Sequence, residues 1–157
     1  MKISDVTDVY NYDKNTGLFS WKESSRKGVR KNHIGSAQNG YLRLRVNKVY
    51  YCAHWLVWLI EKGSLPTKQI DHINGIKNDN RIINLREVDP ILNSQNQRKA
   101  HKTNKCGLLG VSPSYGSWKA QIKVNKKSIH IGQFKTPQLA HEAYINAKRL
   151  YQPGCTI

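Results

Sequence analysis

The stretch "QIDHINGIKNDNRIINLR", residues 69–86, sets an Asp-His pair, Asp71-His72, ahead of Asn74, Asn78, Asn80 and Asn84, with Asn93 and Asn96 just beyond. A neutral imidazole, whose ordinary pKa is about 6.5, can take a proton from water at neutral pH, and an adjacent oxygen donor can hold a divalent cation beside it. Successive side chains on a strand point to opposite faces, so Asp71 and His72 share one task only where the strand ends or bends. Gly75 and the Asn-rich turn after it supply that bend. Taken singly, Asn74, Asn78, Asp79 and Asn80 read as loop stabilisers that bond their own backbone.

The surrounding chain has 157 residues, with 26 Lys plus Arg against 10 Asp plus Glu and a net charge of +16. Such an excess implies a polyanionic partner, nucleic acid foremost. A membrane partner is not expected: no apolar run approaches the roughly twenty residues of a membrane span, and no basic helix carries a strongly apolar face. "MKISDVTDVYNYDKNTG" is polar where a signal peptide would turn apolar, which predicts a cytoplasmic protein. Cys52, Cys106 and Cys155 lie too far apart for a zinc knuckle or a disulfide framework, so no structural zinc is expected. Charge is uneven along the chain: +6 over residues 1–67, +2 over 68–100 and +8 over 101–157. This layout suits outer parts that grip phosphates around a middle that keeps its own carboxylates.

Sequence periodicity predicts the elements. "YLRLRV" alternates, with Leu42, Leu44 and Val46 on one face and Tyr41, Arg43 and Arg45 on the other, and Asn47-Lys48 predicts a tight turn into "VYYCAH". "NYDKNTGLFSWK" reads as a turn into a short strand near Leu18 to Trp21, and "SSRKGVRKNHIGSAQNG" as a basic loop, solvated or phosphate-contacting. "AHWLVWLIEKG" predicts a short buried helix stopped by Gly63, with Trp55 and Trp58 as core and His54 either a buried histidine or one close to substrate. Asp89-Pro90 opens a further helix over 89–99 that carries Asn93 and Asn96. In "SWKAQIKVNKKSIHIGQF", Trp118, Ala120, Ile122 and Val124 share one face and Lys119, Gln121 and Lys123 the other, with a turn at Asn125-Lys126. Thr136 then caps a helix whose stripe is Leu139, Ala140, Ala143, Tyr144, Ala147 and Tyr151.

Spacing raises the central motif above composition. Asn84, within "NLR", lies twelve residues after His72, and Asn93 nine further on. "IDHINGIKNDNRIINLR" resembles the HNH endonucleases, whose ββα-metal site is a hairpin followed by a helix, and "AHWLVW" resembles the helix that precedes the motif in bacteriophage-type homing members. The resemblance implies that His72 is the general base, that Asp71 and Asn93 ligate one divalent metal, and that Asn84 braces the loop and holds the imidazole. The third position of the pattern is Asn93 in place of histidine, with Asn96 as the substitute ligand. Oxygen donors suit Mg²⁺, or Mn²⁺, better than zinc, and a single carboxylate argues against a two-metal site.

"GVSPSYGSWKAQIKVNKKSIHIGQFKTPQLAHEAYINAKRLY" resembles the plant ethylene-response-factor (Apetala-type) DNA-binding domain in its three strands, its Gly-x-Phe-x-Thr step and its Ala-rich helix. That resemblance implies a sheet in the major groove, with Lys119, Lys123 and Trp118 or Gln121 toward DNA; Arg43 and Arg45 are further candidate DNA contacts. The expectation is an α+β protein: basic strands and an HNH domain over 1–100 (motif 54–96), a linker over 101–106 and an ethylene-response-factor-type domain over 107–157. Its expected function is metal-dependent cleavage of double-stranded DNA by a phage-encoded homing-type enzyme in the cytoplasm of an infected bacterium. No long apolar stripe is left for a dimer interface, so a monomer that nicks one strand is favoured. The alternative is a catalytically inactive DNA-binding protein that keeps the fold.

Overall fold

A computed structural model describes residues 1–22 and 34–157. Most of the basic stretch after Lys22, with its expected phosphate-contacting arm, lies outside the described residues. The fold is mixed α and β: among the described residues it has small antiparallel sheets and four α-helices, in two compact units, Met1–Asp89 and Pro90–Ile157. Among the described residues no helix is long and apolar enough to cross a membrane.

The first unit starts with a one-turn helix, α1 (Ile3–Thr7), and a hairpin of β1 (Tyr10–Asp13) and β2 (Leu18–Trp21). A three-stranded sheet follows, from β3 (Ser36–Gln38), β4 (Tyr41–Val46) and β5 (Val49–Cys52). The β4–β5 turn is as tight as Asn47-Lys48 predicts, with both residues at positive φ, 47° and 68°, as a two-residue turn matched to strand twist requires. Leu44 and Val46 point into the core and Arg45 stays exposed, so the alternation of the strand sets its faces.

Helix α2 (Ala53–Lys62) buries Ala53, His54, Leu56, Val57 and Leu59 in that core. Gly63 ends it at φ 83°, its N–H donating to the Leu59 carbonyl. Trp58 packs against the core while Trp55 is 38% exposed; the expected inward place of Trp55 goes to Leu56 and Leu59, one face further round. Strands β6 (Gln69–His72) and β7 (Leu85–Val88) form an antiparallel pair, joined by a loop that ends in the 3₁₀ turn Ile82–Asn84.

The second unit opens with α3 (Pro90–Gln95), a helix shorter than the expected span 89–99. Expected in the first domain, it groups with the second unit for a visible reason. Gln95 Oε1 accepts the Gly154 N–H at 2.8 Å, Asn96 Oδ1 accepts the Thr156 hydroxyl, and Arg98 donates to Thr156. Residues 101–106, expected as a linker, are fastened by Asn104, whose amide bonds the Cys106 N–H and the carbonyls of Leu108 and Val111.

The rest is a three-stranded sheet, β8 (Val111–Ser114), β9 (Ser117–Val124) and β10 (Lys127–Phe134) with β9 central, backed by α4 (Pro137–Tyr151). Asn125 and Lys126 repeat the positive-φ turn, and the Thr136 hydroxyl caps α4 by accepting the Leu139 N–H. On α4, Ala140 and Tyr144 are buried, but Leu139 and Tyr151 of the expected stripe are about half exposed. Lys148 is fully buried instead, its ammonium donating to the Gln97 carbonyl, which offsets the cost of desolvating it.

Candidate active site

Asp71 and His72 end β6, and the loop they open is tied to itself at nearly every turn. Gly75 N–H donates to the His72 carbonyl and Ile73 N–H to the Asn84 carbonyl, both at 2.8 Å. The Asn84 side chain spans the loop: its Oδ1 accepts the Asn74 N–H at 2.9 Å and its Nδ2 donates to the Asp79 carbonyl at 2.8 Å. Asp79 accepts from Asn74 Nδ2 at 2.7 Å and from Arg81 Nε and Nη2 at 2.7 and 2.6 Å. The Arg81 hydrogen bond, foremost, pulls the Asp79 carboxyl down to about 2. A loop of amides and one anchored carboxylate thus satisfies its backbone from within, and it can hold a fixed shape without a sheet around it.

The two members of the pair meet different surroundings. Asp71 stands opposite Arg86 across the β6–β7 register, and Oδ2 accepts from Arg86 Nε at 2.9 Å and Nη2 at 2.8 Å. His72 is 4% exposed, its Nε2 3.2 Å from Asn80 Oδ1. The His54 ring meets the His72 ring edge-on at 5.1 Å, and the Tyr41 ring lies 5.2 Å from His54 and 5.9 Å from His72. Lys77 Nζ sits 4.4 Å from the centre of the Tyr41 ring, a cation–π contact, and donates to the Asn39 carbonyl.

Burial pushes the His72 imidazole below its ordinary pKa, against the opposing pull of the Asn80 hydrogen bond and the Asp71 charge. Burial, with the neighbouring His72, takes His54 down to about 4. Both imidazoles are therefore neutral at pH 7, and a buried neutral imidazole is a proton acceptor.

Residues 51–95 match the HNH endonuclease family model. The match runs from Tyr51 in β5 to Gln95, the last residue of α3, and so takes in His54, Asp71, His72, Asn84 and Asn93. The match supports a nuclease. No curated protein and no solved structure matches the chain.

Within the first unit, Asp71, His72 and Asn84 come together on one strand end and its loop. Asn84 braces that loop, but the amide at the imidazole belongs to Asn80. Asn93 and Asn96 lie on and just after α3, in the second unit. Arg43 and Arg45 sit over the exposed Tyr50 ring at 5.6 and 5.9 Å, an aromatic-basic ridge on β4 and β5. Lys119, Gln121 and Lys123 share the face of β9 away from α4, whereas Trp118, expected toward DNA, packs against the core that α4 covers. Its alternation with Lys119 already put it on that side.

Three interactions escape a reading of the sequence alone. Asn80 looks like any loop amide. Arg86 faces Asp71 because of the hairpin register, which the opposite charges on either side of the Asn-rich turn do hint at. Tyr41 reaches the two histidines only through the packing of β4 against α2.

Proposed function

We propose that the protein is a metal-dependent DNA endonuclease in which His72 takes the proton from the attacking water. The observation that carries this reading is a buried, neutral imidazole beside a buried carboxylate, on a fastened loop inside the residues that match the HNH family. Strands β6 and β7 and helix α3 follow one another in the order of a ββα-metal core.

The donors fit a hard divalent cation in kind. Carboxylate and amide oxygens suit Mg²⁺, a cation that keeps most of its waters, better than zinc. Asp71 would be its carboxylate ligand, and Asn93 is the proposed amide ligand on the resemblance and the matched span alone. When bound, such a cation neutralises charge growing on the phosphoryl and leaving 3′ oxygens.

The chain's own residues do the rest. Arg86 holds one oxygen of Asp71 and so orients the carboxylate. Burial keeps His72 unprotonated and ready to accept. Arg43 and Arg45 from the first unit, and Lys119, Gln121 and Lys123 from the second, would bear on DNA; the second unit serves as an ethylene-response-factor-type reader in this account. The homing habit, and cutting of one strand by a monomer, complete the proposal.

The test is a time course on supercoiled plasmid that carries one target, with Mg²⁺ and with EDTA. Mg²⁺-dependent open circle that persists supports a nickase. Prompt linear DNA together with a dimer mass in light scattering would remove the monomeric nickase and leave the endonuclease. No product under either condition would remove the enzyme.

A further inference from the structure

The contact between Asn80 and His72 belongs to a chain of support that starts outside the matched residues. An amide oxygen can only accept, so with Asn80 Oδ1 at 3.2 Å the Nε2 atom of His72 carries the proton, and the lone pair of the neutral ring lies on Nδ1. Asn80 itself is 2% exposed and is held from the other side by the β1–β2 hairpin. The Tyr12 hydroxyl donates to the Asn80 carbonyl at 3.3 Å. Gly17, at φ +75°, lies so close beneath that a Cβ there would stand 2.5 Å from the Arg81 nitrogen and 2.8 Å from the Asn80 carbonyl carbon. No side chain fits in that space, and only glycine adopts that backbone readily.

The hairpin is in turn a firm support. Tyr12 packs on Phe19 at 5.1 Å across the two strands, and Gly17 N–H donates to the Asp13 carbonyl at 2.8 Å. Asp13 accepts the Thr16 hydroxyl at 2.8 Å, and the Tyr10 hydroxyl donates to the Arg45 carbonyl at 2.9 Å, which ties the hairpin to β4.

From this geometry we infer that Asn80 is a positioning residue of the nuclease site, fixing the orientation and tautomer of His72, and that the β1–β2 hairpin holds Asn80 in place through Tyr12 and Gly17. The inference rests on the reading of His72 as the base. It gives residues 10–21 a place in catalysis, in a hairpin that lies wholly outside residues 51–95. Misplacing a reacting group by about 1 Å costs on the order of 100-fold in rate, so a loop support far from the scissile bond can matter to turnover.

The experiment compares wild type, Asn80→Ala, Asn80→Asp and Tyr12→Phe by plasmid cleavage in Mg²⁺, DNA affinity, thermal midpoint and ¹⁵N NMR of the His72 ring. Expected for Asn80→Ala is a kcat lower by about 10- to 100-fold with DNA affinity unchanged. Asn80→Asp keeps an acceptor oxygen and recovers part of that loss, and Tyr12→Phe falls between wild type and Asn80→Ala. The wild-type ring shows the Nε2–H tautomer, and Asn80→Ala gives a mixture of tautomers. Wild-type cleavage by Asn80→Ala, an unchanged ring spectrum, or equal losses in the Ala and Asp variants that track the thermal midpoint would each overturn the inference. If wild type itself does not cleave, the nuclease reading fails, while the ring spectrum still decides whether Asn80 sets the state of His72.

Discussion

His54 and His72 show what burial does to a residue whose charge changes near physiological pH. His54 titrates at about 4 in the folded chain against an ordinary 6.5, so between those values the unfolded chain binds the extra proton. Stability therefore rises with pH across that window and is lost as pH falls from about 6.5 toward 4, by at most about 3 kcal/mol for a shift of this size. Urea unfolding at pH 7.5 and pH 5 should show the loss in wild type and a smaller one in His54→Phe; equal losses would mean that His54 is not the group responsible. The Asp71-His72 pair and its asparagines were legible in the sequence because their spacing is unusual. The partner of the imidazole was not. Asn80 and Asn84 are chemically identical, four residues apart in one loop, and nothing in local sequence says which amide meets the ring and which one spans the turn.

At the scale of elements, β6–β7 couples the site to the stability of the hairpin. Asp71 is buried and its carboxylate is shared with a half-buried Arg86, so Arg86→Met would leave a buried charge without its guanidinium. Removal of one partner from such a pair should destabilise the protein by roughly 2–4 kcal/mol, less than for a fully buried pair because Arg86 reaches solvent. Denaturant titration reads this directly, and a change below about 0.5 kcal/mol would mean that the pair contributes no more than a surface ion pair. The turns were the most legible elements. Asn47-Lys48 and Asn125-Lys126 both fall at positive φ because alternating strands flank them and asparagine tolerates that backbone. The helices were less so. Lys148 takes a core position on α4 because a carbonyl, Gln97, stands ready to accept from it, and no periodicity of apolar residues reveals a backbone partner 51 residues away.

For the whole molecule, the net charge of +16 and the match at residues 51–95 point the same way: a basic chain around a stretch similar to the HNH endonucleases. If the outer face of β9 grips phosphates, the Lys119→Ala, Lys123→Ala double variant should bind DNA more weakly. The slope of log K against log salt should then fall in magnitude by about 0.9 for each phosphate that the variant leaves without its lysine. An unchanged slope would take those lysines off the DNA. The division into units was only partly visible from charge, because the residues that tie α3 to the second unit, Gln95 and Asn96, meet partners in the last few residues of the chain. The most direct test of the central claim is cleavage by His72→Ala in Mg²⁺, measured beside its DNA affinity. The account predicts that the rate falls by about 10²- to 10⁴-fold while affinity stays at the wild-type level; a variant that binds DNA and cuts within about threefold of wild type would contradict it.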